Sequence, residues 1–373
     1  MSFYDNKDPL DVAVGSFSGM AGQDLKNKVK VARMEKTFAV IATFPYLSLT
    51  RFISQGVDFR GIVGKREELV RDLSKPIEVI LPSRQASQLS GLSRVSALGG
   101  AEHELGHILI DMGGSYIPHE SELKARGLDK LITQFQNHKE YDKLKTALHK
   151  WVNVLADVRL ERFMGVLYEP TRSRFHAVQT WVHDLEKEGR ISGQLGVGGS
   201  LMCIIRDLGK GWHNPMQKEV LEDYKTIYPS SWEVVESTKA IWSKVIPSAS
   251  CTEEDVASSV HLPLVVAMEL LMAIADLIEK EKQGSGKGKG KGKGDAKQGE
   301  GEEGGDEGQG DKVEGAGRQG RITDTYDLND GQALDPNSAM TQAVENAEKT
   351  LDHKVYYDGK MKEKKFSWND VNR

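Results

Sequence analysis

His103 and His107 stand four positions apart with Glu104 between them, in the run Ala101-Glu102-His103-Glu104-Leu105-Gly106-His107-Ile108. On an α-helix four positions make one turn plus about 40°, so both imidazoles leave the same side and can share one tetrahedral metal ion. Glu104 then points to a neighbouring strip, from which a carboxylate can hold and deprotonate a water at the metal without being a ligand. This pattern is suited to zinc-assisted hydrolysis. The plainer alternative is a pair of surface histidines on a core helix.

Two histidines need a third protein ligand. Between Trp151 and Arg162, Asn153, Asp157 and Glu161 recur at i, i+4 and i+8, a polar stripe beside the apolar positions Leu144, Leu148, Val152, Leu155 and Val158. Asp157 is the expected ligand. Glu161, one turn on, is placed to receive the free ring N–H of a ligating histidine and fix its tautomer, with Asn153 in the same outer layer. Spacing alone leaves Asp157 and Glu161 interchangeable, and His149 or His119 could complete the site instead. Taken without the histidines, the stripe reads as a solvated face with Arg159 and Arg162 balancing the acids.

These residues need elements to position them. Ile77-Glu78-Val79-Ile80-Leu81 has the pattern of a strand, followed by a Ser/Gly-rich connection through Leu92. A helix with Leu98, Leu105, Leu109 and Met112 inward then runs to Gly113-Gly114. A second long helix starts near Glu140, an inserted helix around Leu123 to Phe135 fills the interval, and a further helix passes through His176, Trp181 and His183. Strand followed by active helix is zincin order. The expected fold is therefore α+β and mostly helical, a zincin-like metallopeptidase domain with a small sheet whose edge strand can pair with an extended peptide. An oxyanion donor is also required, for which His176, Tyr168, Arg172 and His213 are the visible candidates.

The combination of His103-Glu104-Leu105-Gly106-His107 with Asn153-x-x-x-Asp157-x-Arg159-x-Glu161 resembles the metallopeptidase-like region that precedes a von Willebrand A domain in bacterial and phage proteins related to the cobaltochelatase T subunit. The resemblance covers roughly residues 75–215. It implies Zn²⁺ as cofactor, a protein or peptide substrate, and a von Willebrand A-domain protein or an AAA+ ATPase as partner. A non-proteolytic assembly scaffold with a structural metal site is the alternative it brings. It also implies a Gly/Lys/Glu-rich linker after the helical domain, which this chain has. The Asp-x-Ser-x-Ser signature of the A domain is absent after that linker, so only the peptidase-like part is represented.

The 373 residues divide by composition. Residues 1–282 suit one zincin-like domain with its core at 75–215. In 283–320, Lys287, Lys289, Lys291 and Lys293 alternate with glycine before Glu300, Glu302, Glu303, Asp306 and Glu307, the pattern of a flexible tether. Residues 321–373 form a tail or docking segment, with a helix expected over Asn337 to Leu351 and with Phe366 and Trp368 as anchors. The net charge of −5 gives no reason to expect nucleic acid. Cys203 and Cys251 are too few and too far apart for a thiolate zinc site or a disulfide framework, and a reducing cytoplasm is the expectation. The polar N-terminus does not resemble a secretory signal, and the apolar run Leu262 to Ile278 is interrupted by Glu269 and Asp276, so no membrane span is expected. The glycine clusters Gly15 to Gly19 and Gly61 to Lys65 lack what a phosphate cradle needs and read as turns.

Overall fold

The computed structural model describes residues 29–34, 39–41, 44–69, 77–111, 118–193, 195–211, 213–286, 328, 343–347 and 349, and most of these are helical. Three strands, β1 (Val29–Met34), β2 (Ala39–Ile41) and β3 (Ile77–Pro82), make one sheet in the order β1-β3-β2. β3 runs parallel to β1, with Val29 opposite Ile77, and antiparallel to β2, with Ala39 opposite Ile80. Its central place follows from its composition: Ile77, Val79, Ile80 and Leu81 are all buried, the near-continuous apolar run of a strand covered on both faces.

Between β2 and β3 lie α1 (Pro45–Ser54) and α2 (Phe59–Gly64). Here the expectation of a turn at Gly61 to Lys65 is corrected. Asp58 Oδ1 accepts the Gly61 N–H at 2.8 Å and caps a short helix that includes both glycines. Gly15 to Gly19 lie outside the described residues. After β3, serine caps start two helices in succession. Ser83 Oγ accepts the Ala86 N–H at 3.1 Å to open α3 (Arg84–Leu89), and Ser93 Oγ accepts the Ser96 N–H at 3.1 Å to open α4 (Arg94–Ile110), the histidine helix. Met112, Gly113 and Gly114 are outside the described residues.

One helix was expected over Leu123 to Phe135; there are two, α5 (Glu120–Ala125) and α6 (Leu128–Gln136). Gly127 separates them at φ +71°, a left-handed conformation that ends the first helix and opens the second. Next come α7 (Tyr141–Leu167), the carboxylate helix, α8 (Thr171–Ile191) and α9 (Val197–Lys210). Val197 to Gly199 form the first turn of α9. The rest is α10 (Pro215–Ile227), α11 (Pro229–Ser237), α12 (Lys239–Trp242), α13 (Glu253–Ser258) and α14 (Leu262–Gly286). No helix among the described residues is long and apolar enough to cross a membrane. Cys203 and Cys251 are both free and buried.

α7 passes through two cores. Its first turns pack Trp151, Leu155 and Val158 into a large cluster with α9 and α14. Its last turns pack Leu160, Phe163 and Met164 against Val79 and Leu81 of β3 and Ala101 and Leu105 of α4. The stripe carrying Asp157 lies at the change-over, which is how a helix rooted in one core reaches histidines rooted in the other. Two glycines permit the close approach. A Cβ on Gly106 of α4 would lie 3.0 Å from the Leu160 side chain, and one on Gly209 of α9 would lie 2.6 Å from Val158 Cγ1. Because Val158 is β-branched and fully buried it cannot swing aside. Gly209→Ala is therefore expected to cost about 1–3 kcal/mol of stability by overpacking. A chemical denaturation curve with an unchanged midpoint would contradict this close packing.

The domain boundary expected at residue 282 is corrected, because α14 continues to Gly286, and parts of the expected tail lie against the helical domain. Leu328 is buried in the large core and its carbonyl accepts the Trp151 Nε1–H at 2.9 Å, while Val344, in a helical stretch at 343–347, packs with Ala86, Trp181 and Val182. The anchors expected at Phe366 and Trp368 lie outside the described residues.

Candidate metal centre

α4 presents His103 and His107 with ring centroids 4.9 Å apart and planes at 87°. From α7, Asp157 Oδ1 comes to 3.6 Å from His103 Nε2 and 3.4 Å from His107 Nε2. A tetrahedral ion with bonds of about 2.0–2.1 Å spaces its ligand atoms about 3.3–3.4 Å apart, so the two nitrogen–oxygen separations are close to what one ion would need. Together they form the group suited to holding a metal ion, each ligand atom within 4.8 Å of the others. Asp157 Oδ1 is buried and has no hydrogen-bond partner. A buried carboxylate oxygen left in that condition is costly unless something positive occupies the space before it.

The far side of each imidazole is also fixed. His103 Nδ1 lies 3.0 Å from Glu161 Oε1, and His107 Nδ1 lies 2.7 Å from Asp111 Oδ2. An ionised carboxylate only accepts, so each Nδ1 carries a proton and donates it, leaving both Nε2 atoms to face Asp157. Behind each carboxylate stands a cation. Lys210 Nζ donates to Glu161 Oε1 at 2.6 Å, and Arg159 Nη1 donates to Asp111 Oδ1 at 2.9 Å. Arg159 is fully buried and spends its other donors on the Ile110 and Val256 carbonyls and Ser259 Oγ. Removing it leaves the buried Asp111 carboxylate with His107 as its remaining side-chain partner, so Arg159→Met is expected to destabilise the protein by about 1–3 kcal/mol in chemical denaturation. A loss below about 1 kcal/mol would mean that the pair is not the buried one described.

The electrostatics are those of a site that takes up positive charge. Burial alone would lower the pKa of His103, but the carboxylates of Asp157 and Glu161 on either side of the ring outweigh it and raise the group to about 9. His107 is likewise raised well above its ordinary value, against burial, by Asp111 and Asp157. Asp157 is held below the usual carboxylate range because the two imidazoles overcome the effect of its burial. Protons on the two rings and a divalent ion are thus alternative sources of positive charge at the same place. Since the folded pKa of His103 lies above the unfolded value of 6.5, its contribution to stability is complete below pH 6.5 and is lost as pH rises towards 9. The metal-free protein should accordingly lose stability across that interval. Metal uptake at pH 7.5 should release protons, measurable as a buffer-dependent heat of binding; a heat independent of buffer would contradict it.

Glu104 sits on the adjoining strip, buried, with burial raising its pKa and the charges of His103 and His107 opposing. Asn153 is exposed and, with His107, Asp111, Phe44, Tyr46 and Ala156, lines a pocket next to the centre. His149 bonds instead with Thr50 Oγ1 at 3.0 Å, and His119 is exposed at the start of α5. Of the oxyanion candidates, His213 Nε2 bonds the Asp207 carbonyl at 2.7 Å and Arg172 Nε donates to the Gly165 carbonyl at 2.5 Å. Sequence reasoning missed Asp111, Arg159 and Lys210 as supports. Asp111 could have been found, because it follows His107 by the same four-residue spacing that joins the two histidines. Lys210, 49 residues from its partner, gives no local signal.

No family model, curated protein or solved structure matches this chain. What the chain itself defines is a mostly helical protein with a two-histidine, one-carboxylate cluster able to hold a metal ion.

Proposed function

We propose that this chain is a zinc-dependent peptidase that hydrolyses peptide bonds in a protein substrate. The observation that carries the reading is the convergence of His103, His107 and Asp157 with Glu104 beside them and outside the ligand set. Two imidazoles and a carboxylate make a donor set that suits zinc. A zinc ion held there supplies Lewis acidity, lowering the pKa of a water towards about 7 and polarising the scissile carbonyl. Glu104, beside the ligands and outside their set, would be the group to take a proton from an attacking water and return it to the leaving amine. The burial that raises its pKa brings the carboxyl nearer the pH at which it must both take and give a proton. His103 and His107 are kept in register by Glu161 and Asp111, and β2, an edge of the sheet among the described residues, is where an extended peptide would add.

A scaffold with a structural metal site, partnered by an ATPase, is the competing reading, but such a site needs ligands and has no use for the carboxylate of Glu104. Metal analysis of the purified protein tests the proposal first: about one zinc per chain, lost in His103→Ala. Equal metal content in the two proteins would remove the site.

A further inference from the structure

Asp157 and Glu161 lie one turn apart on the same stripe of α7, both beside His103, yet only Asp157 has an oxygen facing both Nε2 atoms. What draws Glu161 the other way comes from α9. Lys210 Nζ bonds Glu161 Oε1 at 2.6 Å, the same oxygen that accepts the His103 Nδ1–H at 3.0 Å, and both side chains are buried. The lysine is itself held from several directions. Gly209 before it lets α9 lie directly on Val158. Gly211 after it, at φ +65°, ends the helix. Arg162, the residue following Glu161, reaches back to donate to the Lys210 carbonyl at 3.4 Å. Thus α7 and α9 are joined on both sides of the Lys210–Glu161 pair, an arrangement far more specific than a surface ion pair.

We infer that Lys210 is a positioning residue that keeps Glu161 on the His103 ring and off the metal, so that Asp157 alone supplies the oxygen ligand and a coordination position stays open for substrate. The inference rests on the metal-centre reading above. With the ammonium gone, Glu161 is a buried anion with one remaining partner, one turn from Asp157 and beside a divalent ion, and the ion becomes its best counter-charge. A catalytic centre would then turn into a closed one.

The test uses the full chain loaded with Co²⁺, whose visible absorption is strong with four ligands and weak with five. In Lys210→Met the Co²⁺ spectrum should change, and the further change that added azide produces in the parent by taking the open position should be lost, because the Glu161 carboxylate now fills it. Lys210→Arg, which keeps the charge and the donors, should retain the parent spectrum. The double variant Lys210→Met/Glu161→Gln should regain it, because the intruding carboxylate is gone. Lys210→Gln provides a second neutral variant should the Met protein fail a circular-dichroism check of folding. A purely structural lysine would leave the spectrum of every folded variant unchanged, and that result would overturn the inference. A parent chain that takes up no Co²⁺ would overturn the metal-centre reading as well, which distinguishes the two failures.

Discussion

Asp157→Ala should lower metal affinity by more than about 100-fold, beyond the 10–100-fold typical of losing an outer-layer partner. Asp157 is the member of the cluster that α7 contributes, and its Oδ1 lies within 3.6 Å of both Nε2 nitrogens. Without it two imidazoles on a single helix remain, too few ligands for a protein zinc site. Glu161→Gln, by contrast, weakens one hydrogen bond to His103 and should fall inside the 10–100-fold range. The order of the two effects matters more than either size. Were the Glu161 variant to lose more metal than the Asp157 variant, the roles of ligand and support would be reversed. The metal-free proteins give a second reading of the same residue. Asp157 does much to raise His103 to about 9. The alanine variant should therefore show a flatter decline in stability between pH 6.5 and 9 than its parent.

Glu104→Gln should reduce hydrolysis of a protein substrate such as casein by on the order of 10²–10⁴-fold, the usual contribution of a positioned acid–base group, with metal content unchanged. Gln keeps the size and one acceptor of the side chain but cannot take a proton. The separation of the two readouts is what the geometry requires: Glu104 senses the charges of His103, His107 and Asp157, but belongs outside the ligand set. Hydrolysis that survives the substitution would take the base role from Glu104. Loss of metal together with activity would make it a ligand, and the site would have to be redrawn.

Much of the site was legible because its information is local. The four-residue spacing of His103 and His107 fixes their common face on any helix, and the Asn153, Asp157, Glu161 series does the same for α7. Leu144, Leu148, Val152, Leu155 and Val158 announce the buried side of that helix, and all five are buried. What the sequence leaves open is which of two carboxylates one turn apart meets the ion, since that depends on an ammonium 49 residues further along. Backbone conformation was less legible. Gly127 breaks what reads as one helix, whereas Gly61 and Gly64 sit within a helix where a turn was expected. In each case the outcome depends on a neighbour, the αL geometry at one position and the Asp58 cap at the other. The tail was harder still. Leu328 and Val344, unremarkable in a polar segment, find partners in Trp151 and Trp181 that no sequence spacing connects to them.

The most direct test of the account is the first coordination shell of the zinc-loaded full chain by X-ray absorption at the zinc edge. Two imidazole nitrogens and one carboxylate oxygen at about 2.0–2.2 Å, with one imidazole lost in His107→Ala and the oxygen lost in Asp157→Ala, are the expected result. A shell containing sulfur, or one unchanged by either substitution, would show that the ion does not rest where α4 and α7 converge.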